Sequence, residues 1–486
     1  MTLPFQIRPI SNILGALYIM IGLLMLLCLP FSFYFNSGDH LAILISAGIT
    51  LFSGILLSLF KRKESTSISK REGYLIVGVG WMTMVIFGML PYLLSGVIPN
   101  VLEAFFETVS GMTTTGATIL EDIESTPKGI LFWRSMTQWI GGMGIIVLTV
   151  AIFPLLGIGG IELFVAEAPG PTSDKLHPRI KETAKRLWFI YVGLTILLST
   201  ILYFEGMHVY DALNHGFTTM ATGGFSTKNA SIAHFSSPLI QYTIILFMFL
   251  AGTNYTVIYF GLQGKFRRVW KSDEFRTYLL MLFFLTILIG MAIWSITETH
   301  IEKSFRDALF TVVSLITTTG FVTADYTAWN SGLTMLCFIL LFAGASAGST
   351  SGGIKIVRHL VFFKNTILEF KRILHPRAMI RIKINGEVVA PRILTHILVF
   401  LLIYLALFVL GTLTVATLGI DFVTASGAVA TSLGNVGPGM GSVGPMDNFA
   451  HLPLSVKSFL GILMLLGRLE LFTILILFTP YFWRSN

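Results

Sequence analysis

Thr113-Thr114-Thr115-Gly116-Ala117 is the first of four short stretches in this chain that spell nearly the same thing. The others are Ala221-Thr222-Gly223-Gly224-Phe225, Thr317-Thr318-Thr319-Gly320-Phe321 and Asn435-Val436-Gly437-Pro438-Gly439. Aligned on Gly116, Gly223, Gly320 and Gly437, they are separated by 107, 97 and 117 residues. Recurrence at that period is an internal repeat, and in an apolar chain it points to membrane units packed around one axis. Each copy is a small polar loop that exposes backbone carbonyls. Four such loops meeting at an axis would make a cation filter. The bland alternative, that Thr-Gly pairs only pack helices or make turns, suits one copy better than four in register.

The composition agrees with a membrane setting. Apolar residues make up 54% of the chain and charged residues 12%, against about 25% charged in soluble domains. Ten spans are expected, at 11–35, 40–60, 73–95, 129–156, 183–205, 237–260, 275–297, 331–362, 393–418 and 454–482, each near or above the roughly 20 residues that cross a bilayer. The first has no small-residue cleavage site, so it is expected to be retained. Cys28 and Cys337 both fall within spans and imply no disulfide framework.

Charge placement orients the chain. The expected inner loops hold Lys61, Arg62, Lys63, Lys70 and Arg71, then Lys175 to Arg186, Lys265 to Arg276 and the long segment Lys355 to Arg392. With Arg8 and Arg484 they account for 26 of the 33 Lys and Arg residues. The positive-inside rule therefore puts both termini in the cytoplasm. The net charge of +8 reflects this asymmetry and does not argue for nucleic acid as a partner.

Ahead of each loop, on the side poor in basic residues, lies a short helix-compatible stretch: Leu102 to Phe106, Tyr210 to Leu213, Arg306 to Phe310 and Asp421 to Ala425. Such stretches are too short to cross and return, and an acid near the start complements a helix dipole. They read as re-entrant half-helices, because irregular backbone at membrane depth is tolerated only where it lines an enclosed cavity. The expected fold is an all-α polytopic membrane protein with four span–pore-helix–span repeats around a pseudo-fourfold pore, plus two N-terminal spans. The units are 1–64, 65–160, 161–262, 263–390 and 391–486. The backbone carbonyls of Thr114, Thr115, Ala221, Thr222, Thr318, Thr319, Asn435 and Val436 could replace water around a monovalent cation. Gly116, Gly223, Gly320 and Gly437 give the turn its freedom. No ring of Asp or Glu occupies the loops, which argues against a divalent-cation site.

Two features point to control of such a pore. Leu333 to Ala343 is too short to cross and runs into Gly344-Ala345-Ser346-Ala347-Gly348-Ser349-Thr350-Ser351-Gly352-Gly353. Either Gly344, Gly348 and Gly352 form a small-residue packing face on a helix, or the segment, with Gly353, is a flexible gate just inside the filter. Arg468 stands in an otherwise apolar last span, where a lone charge costs about 2.5–3.5 kcal/mol. It either pairs with an acid of another span or faces the pore as a barrier to cations. Glu470, two residues on, does not share its helix face. His215 and Asn254 are read as satisfied polar residues of the bundle. No paired acids, metal-ligand cluster or nucleophile–base set recurs in the spans, which argues against an intramembrane enzyme.

The chain resembles the Trk/Ktr/HKT superfamily of potassium transporters, and within it the TrkH branch. The resemblance rests on the loops together with Gln138-Trp139-Ile140-Gly141-Gly142-Met143-Gly144, Pro178-Arg179-Ile180-Lys181-Glu182, Gly223-Gly224-Phe225-Ser226-Thr227, Ala347-Gly348-Ser349-Thr350, His375-Pro376-Arg377-Ala378 and Gly467-Arg468-Leu469-Glu470. The two extra N-terminal spans favour that branch over the shorter one. The resemblance implies K+ as the transported ion, with glycine rather than serine at Gly116 going with potassium over sodium. It also implies a gating loop at 344–353 acting with Arg468, a homodimer with one pore per protomer in a bacterial cytoplasmic membrane, and a cytosolic nucleotide-binding TrkA-like partner. A potassium/proton symporter and a sodium-permeable relative stay open as alternatives.

Overall fold

The computed structural model describes residues 7–59, 69–147, 176–297 and 300–483. The expected end of the fourth span, 148–156, lies outside them, as do Lys61, Arg62, Lys63, Lys175 and Arg484. Apart from one hairpin the regular structure is helical. Among the described residues six helical segments are long and apolar enough to cross a bilayer: Ile10–Tyr34, His40–Ser58, Arg71–Ser95, Glu182–Phe204, Asp273–Thr297 and Pro391–Thr417. Their outward faces carry Leu280, Phe283, Phe284, Leu402 and Leu413, all exposed, as lipid-facing side chains should be.

Three expected spans are broken. Residues 237–260 form Pro238–Gly252 and Tyr255–Leu262, bent by 110°. Thr253 is extended there, and Asn254 caps the second half by accepting from the Thr256 amide at 2.8 Å. Residues 454–482 divide into Leu454–Arg468 and Phe472–Phe478, bent by 106°. Glu470 and Leu471 take φ of 56° and 53°, left-handed values that no right-handed helix can continue through. Residues 331–362 divide into Ser331–Leu340 and a helix that starts at Ile356, with irregular chain between. Continuous hydropathy hid the first two breaks, while the third was expected from the short apolar run Leu333 to Ala343 and the glycine-rich stretch after it.

The two N-terminal helices, Ile7–Leu26 and His40–Ser58, run closely against each other; a Cβ on Gly54 would lie 2.8 Å from the Ile19 amide nitrogen. Buried Asp39 ties the pair to the rest. Its carboxylate accepts from Ser32, from Ser37 Oγ at 2.6 Å and from the Ile130 amide at 2.8 Å, at the start of the helix Lys128–Val147.

Four short helices cover the stretches read as half-helices: Val101–Met112, Val209–Met220, Ile301–Ile316 and Phe422–Gly434. Asn100, His208 and Asp421 cap three of them with side-chain acceptors. Hydrogen bonds from Thr424 hold the Asp421 carboxyl below the usual range, so the cap stays charged. One apolar cluster joins the N-terminal pair to the first and last short helices, through Ile21, Val109, Val429 and Leu463. A second, through Tyr191, Met220, Ile316 and Leu340, joins the middle two. The four loops lie where these clusters meet, since Met220 and Val436 share the second while Met112 and Leu433 share the first.

On the basic side, the helix Ile356–Leu374 leads to a hairpin of Lys383–Ile384 and Glu387–Val388. Asn385 and Gly386 are both left-handed, as a two-residue hairpin turn demands. Asp273 docks this hairpin: its amide donates to Asn385 Oδ1 at 2.7 Å, and its carboxylate accepts from the Asn385 amide and from Lys364 Nζ. The next residue, Glu274, accepts from the Ala347 amide at 2.7 Å in the glycine-rich segment.

Candidate ion filter and the segment beneath it

The four short helices end in one way. In each, a residue turns left-handed just past the helix: Thr114 (φ 53°), Thr222 (52°), Thr318 (54°) and Asn435 (53°). The next residue's amide reaches back five residues, from Thr115 to Ser110 O, Gly223 to Thr218 O, Thr319 to Ser314 O and Val436 to Thr431 O, at 2.8–3.0 Å. This is the Schellman termination, which normally takes glycine at the left-handed position. Three of the four carry threonine, whose branched Cβ makes that conformation costly. Asparagine is the one L-residue here with a standing tolerance for it.

This common geometry corrects the register of the second loop. After each left-handed residue come one ordinary residue and then a left-handed glycine: Gly116 (φ 86°), Gly224 (79°), Gly320 (77°) and Gly437 (106°). The partner of Gly116 is therefore Gly224. Gly223, expected to align with it, takes the place held by Thr115, Thr319 and Val436, and Ala221 lies before the left-handed turn, level with Thr113 and Thr317. The physical reason for two adjacent glycines is the neighbour of the first. A Cβ on Gly223 would lie 2.3 Å from the amide carbon of Gln138, whose side chain fills that space.

The loops close into a ring. A Cβ on Gly116 would meet Gly223 O at 2.3 Å, one on Gly224 would meet Thr319 O at 2.0 Å, one on Gly320 Val436 O at 2.0 Å, and one on Gly437 Thr115 O at 2.6 Å. Each left-handed glycine thus faces the backbone oxygen of the next loop, and the fourth returns to the first. No side chain fits at these places, so the ring presents backbone alone.

Hydrogen bonds fix the ring from behind. Ser110 Oγ donates to Ala117 O and Ser314 Oγ to Phe321 O, at 2.5 and 2.7 Å. Asn435 Nδ2 donates to Thr115 Oγ1 at 3.0 Å and Met464 O at 2.8 Å, joining the last loop to the first and to the last span. A buried ion pair, Glu107 with Arg134 at 2.7 Å, clamps the outer ends of the first two loops. Glu107 also accepts from the Ile119 amide and Thr118 Oγ1, while Arg134 donates to Ser226 O and lies 3.5 Å over the Phe225 ring. His215 is engaged at both ring nitrogens, by Asp211 O at 2.8 Å and Ser226 Oγ at 2.9 Å.

Beneath the ring lies the segment 341–355. It is not helical, so the packing-face alternative for Gly344, Gly348 and Gly352 does not form. It is a closed loop pinned where Ala343 bridges Ile354, with the Gly344 amide on Ile354 O at 2.8 Å. Gly348 and Gly353 are left-handed, while Gly344 and Gly352 give close approach, Gly352 within reach of Gly434 and Asn435. The loop bonds directly to the ring. The Gly352 amide donates to Thr318 Oγ1 at 2.6 Å, and Thr350 Oγ1 meets Met220 O at 3.1 Å and Thr222 Oγ1 at 3.3 Å.

Arg468 ends the helix Leu454–Arg468 and is 2% exposed. It donates to Thr350 O at 2.8 Å and Gly141 O at 3.2 Å, bridging the loop to the fourth span. Among the described residues no carboxylate lies within ion-pair distance of it. The acid two residues on, Glu470, pairs instead with Arg358 at 2.5 Å, and Arg358 lies 3.9 Å over Phe400. Buried Lys355 bonds to Ser351.

Glu107, Arg134 and Lys355 escaped the sequence reading as site groups, and Gln138 entered it only as part of a motif. Each acts on chain remote in sequence or on a backbone atom. The one usable signal was charge or amide placed inside an apolar run.

Over residues 40–485 the chain matches the TrkH family, described as a cation transport protein. It is 41% identical to the Trk system potassium uptake protein TrkH of Escherichia coli K12, covering 98% of this chain and 99% of that one. It is 39% identical to the TrkH protein of Halomonas elongata over 99% and 100% of the two chains. The crystal structure of the potassium transporter TrkH from Vibrio parahaemolyticus superposes with a TM-score of 0.90 at 36% identity, covering 99% of this chain and all of that one.

Proposed function

This chain belongs to the TrkH family of cation transport proteins, and from that premise we propose that it carries potassium into the cell through the ring of four loops. It is a membrane transport protein, not an enzyme. The observation that carries the reading is the closed ring, in which four left-handed glycines each meet the backbone oxygen of the next loop. Backbone oxygens at Thr115, Gly223, Thr319 and Val436, with those of Thr114, Thr222, Thr318 and Asn435, replace the hydration shell of K+. Glycine at Gly116 supports potassium over sodium. A negative interior supplies about 2.3 kcal/mol per charge per 100 mV, enough to drive uptake without covalent chemistry. In this reading His215, held by Asp211 O and Ser226 Oγ, is a structural residue of the second pore helix, and the symport alternative is left to the flux test below.

The glycine-rich segment with Gly344, Gly348, Gly352 and Gly353 acts as the gate, and Arg468 holds it. The supporting geometry is the set of bonds from Gly352 to Thr318, Thr350 to Thr222 and Arg468 to Thr350. A homodimer in the bacterial inner membrane, both termini cytoplasmic, and a TrkA-like nucleotide-binding partner on the basic side complete the reading. The relatives' Trk-system names and the basic inner segment support it.

The test is rubidium or potassium flux into liposomes bearing the purified protein, under imposed potassium, sodium and proton gradients. Flux that follows the potassium gradient and the potential, whatever the pH, is expected. Uphill flux driven by protons or sodium would replace the channel-like reading with a coupled one.

A further inference from the structure

Gln138 has no part in the function described so far, although it is fully buried and lies in a motif the sequence singled out. Its amide is used at both ends. Nε2 donates to Gly223 O at 2.6 Å, and Oε1 accepts from the Phe225 amide at 3.1 Å. The partners fix which end is which, since a carbonyl accepts and an amide donates. The side chain therefore spans the second loop across Gly224, the glycine of the ring.

The second loop needs such a brace where the others do not. At the ring position next to the left-handed glycine, the other loops hold Thr115, Thr319 and Val436. Branched side chains stiffen their own backbone, and two are tied by hydroxyl bonds, Thr115 to Thr113 at 2.7 Å and Thr319 to Thr317 at 2.8 Å. Glycine has neither restraint and is the least fixed residue type. Among the described residues no side-chain donor reaches the backbone oxygens of Thr115, Thr319 or Val436. One carbonyl of the four is thus aimed by a side chain of a neighbouring span.

We infer that Gln138 is a positioning residue that sets the direction of the Gly223 carbonyl, and through it the preference of the filter for potassium over sodium. It touches the ring from behind and not the ion. Discrimination between two cations depends on the spacing and number of oxygens that both could use, so a loosened fourth oxygen accepts the smaller ion more readily. The inference rests on the filter reading above.

The test compares wild type with Gln138→Leu, of similar size with neither donor nor acceptor, and Gln138→Asn, which keeps both groups one methylene short of spanning the loop. Potassium and sodium fluxes are measured in liposomes at equal protein, with thermal unfolding followed alongside. The potassium-to-sodium ratio should fall roughly fivefold in the Leu variant, the equivalent of one net hydrogen bond, and by less in the Asn variant. Total flux should persist. A folded variant of either kind with the wild-type ratio would overturn the inference; if Leu does not fold, Asn carries the test. A wild-type protein that does not discriminate at all would instead sink the filter reading, which keeps the two failures apart.

Discussion

Arg468 donates to Thr350 O at 2.8 Å, so the last span holds the glycine-rich loop by its backbone. Thr350 itself reaches Thr222 and Met220 O in the second filter unit. One cation therefore fastens a loop that is bonded to the ring, and on the proposed function its charge lies beneath the ion path. Those two effects act in the same direction.

Replacing Arg468 with alanine should raise potassium flux. A hydrogen bond from a charged group is worth about 1.5–3 kcal/mol, so its loss shifts the gate about tenfold or more toward open, and removal of the charge adds to that. Rubidium uptake into liposomes reads the change. Unchanged flux with a lowered unfolding temperature would make Arg468 a structural residue.

The second-loop register can be tested with two alanines. Gly224→Ala places a Cβ against Thr319 O on left-handed backbone and should abolish flux, as Gly116→Ala should. The three atoms nearest to a Cβ on Gly223 all belong to the Gln138 side chain, which can be shortened. The double variant Gly223→Ala with Gln138→Ser should therefore recover cation flux well above Gly224→Ala. Equal loss in both would restore the sequence alignment.

That register marks where the sequence stopped being legible. The first and third loops offer one glycine after the helix and the fourth two glycines parted by Pro438, and the repeat could be read from them directly. The second offers a glycine pair, and nothing local distinguishes the left-handed member from the one that makes room for Gln138, 85 residues away. The same limit hid the break at Asn254, whose cap is a single hydrogen bond inside an apolar run. It also placed Arg468 in mid-span when it ends a helix, because the left-handed pair Glu470 and Leu471 has no glycine to announce it. The irregular course of 344–353 was legible because its composition disfavours a helix at that depth.

The buried pair Glu107 and Arg134 should behave as a unit. Removing one partner, by Glu107→Gln or Arg134→Met, leaves the other charge or its donors uncompensated and should cost about 3–5 kcal/mol. The double variant should recover part of this loss. Thermal unfolding in detergent measures it, and additive losses would show that the two residues act separately.

Thr318 joins the third loop of the ring to the glycine-rich segment proposed as the gate, since its hydroxyl accepts from the Gly352 amide at 2.6 Å. Thr318→Val keeps the shape and the branched Cβ but leaves that buried amide without its acceptor, a loss of about 1–3 kcal/mol. The closed loop is the state that loses the bond, so the gate should open more often and flux should rise roughly fivefold or more. Thr318→Ser restores the acceptor and should return flux toward wild type, although it lacks the branch that stiffens the turn. If serine raises flux and valine does not, the branch and not the bond holds the gate. If neither changes it, the Gly352 contact lies outside the gating motion.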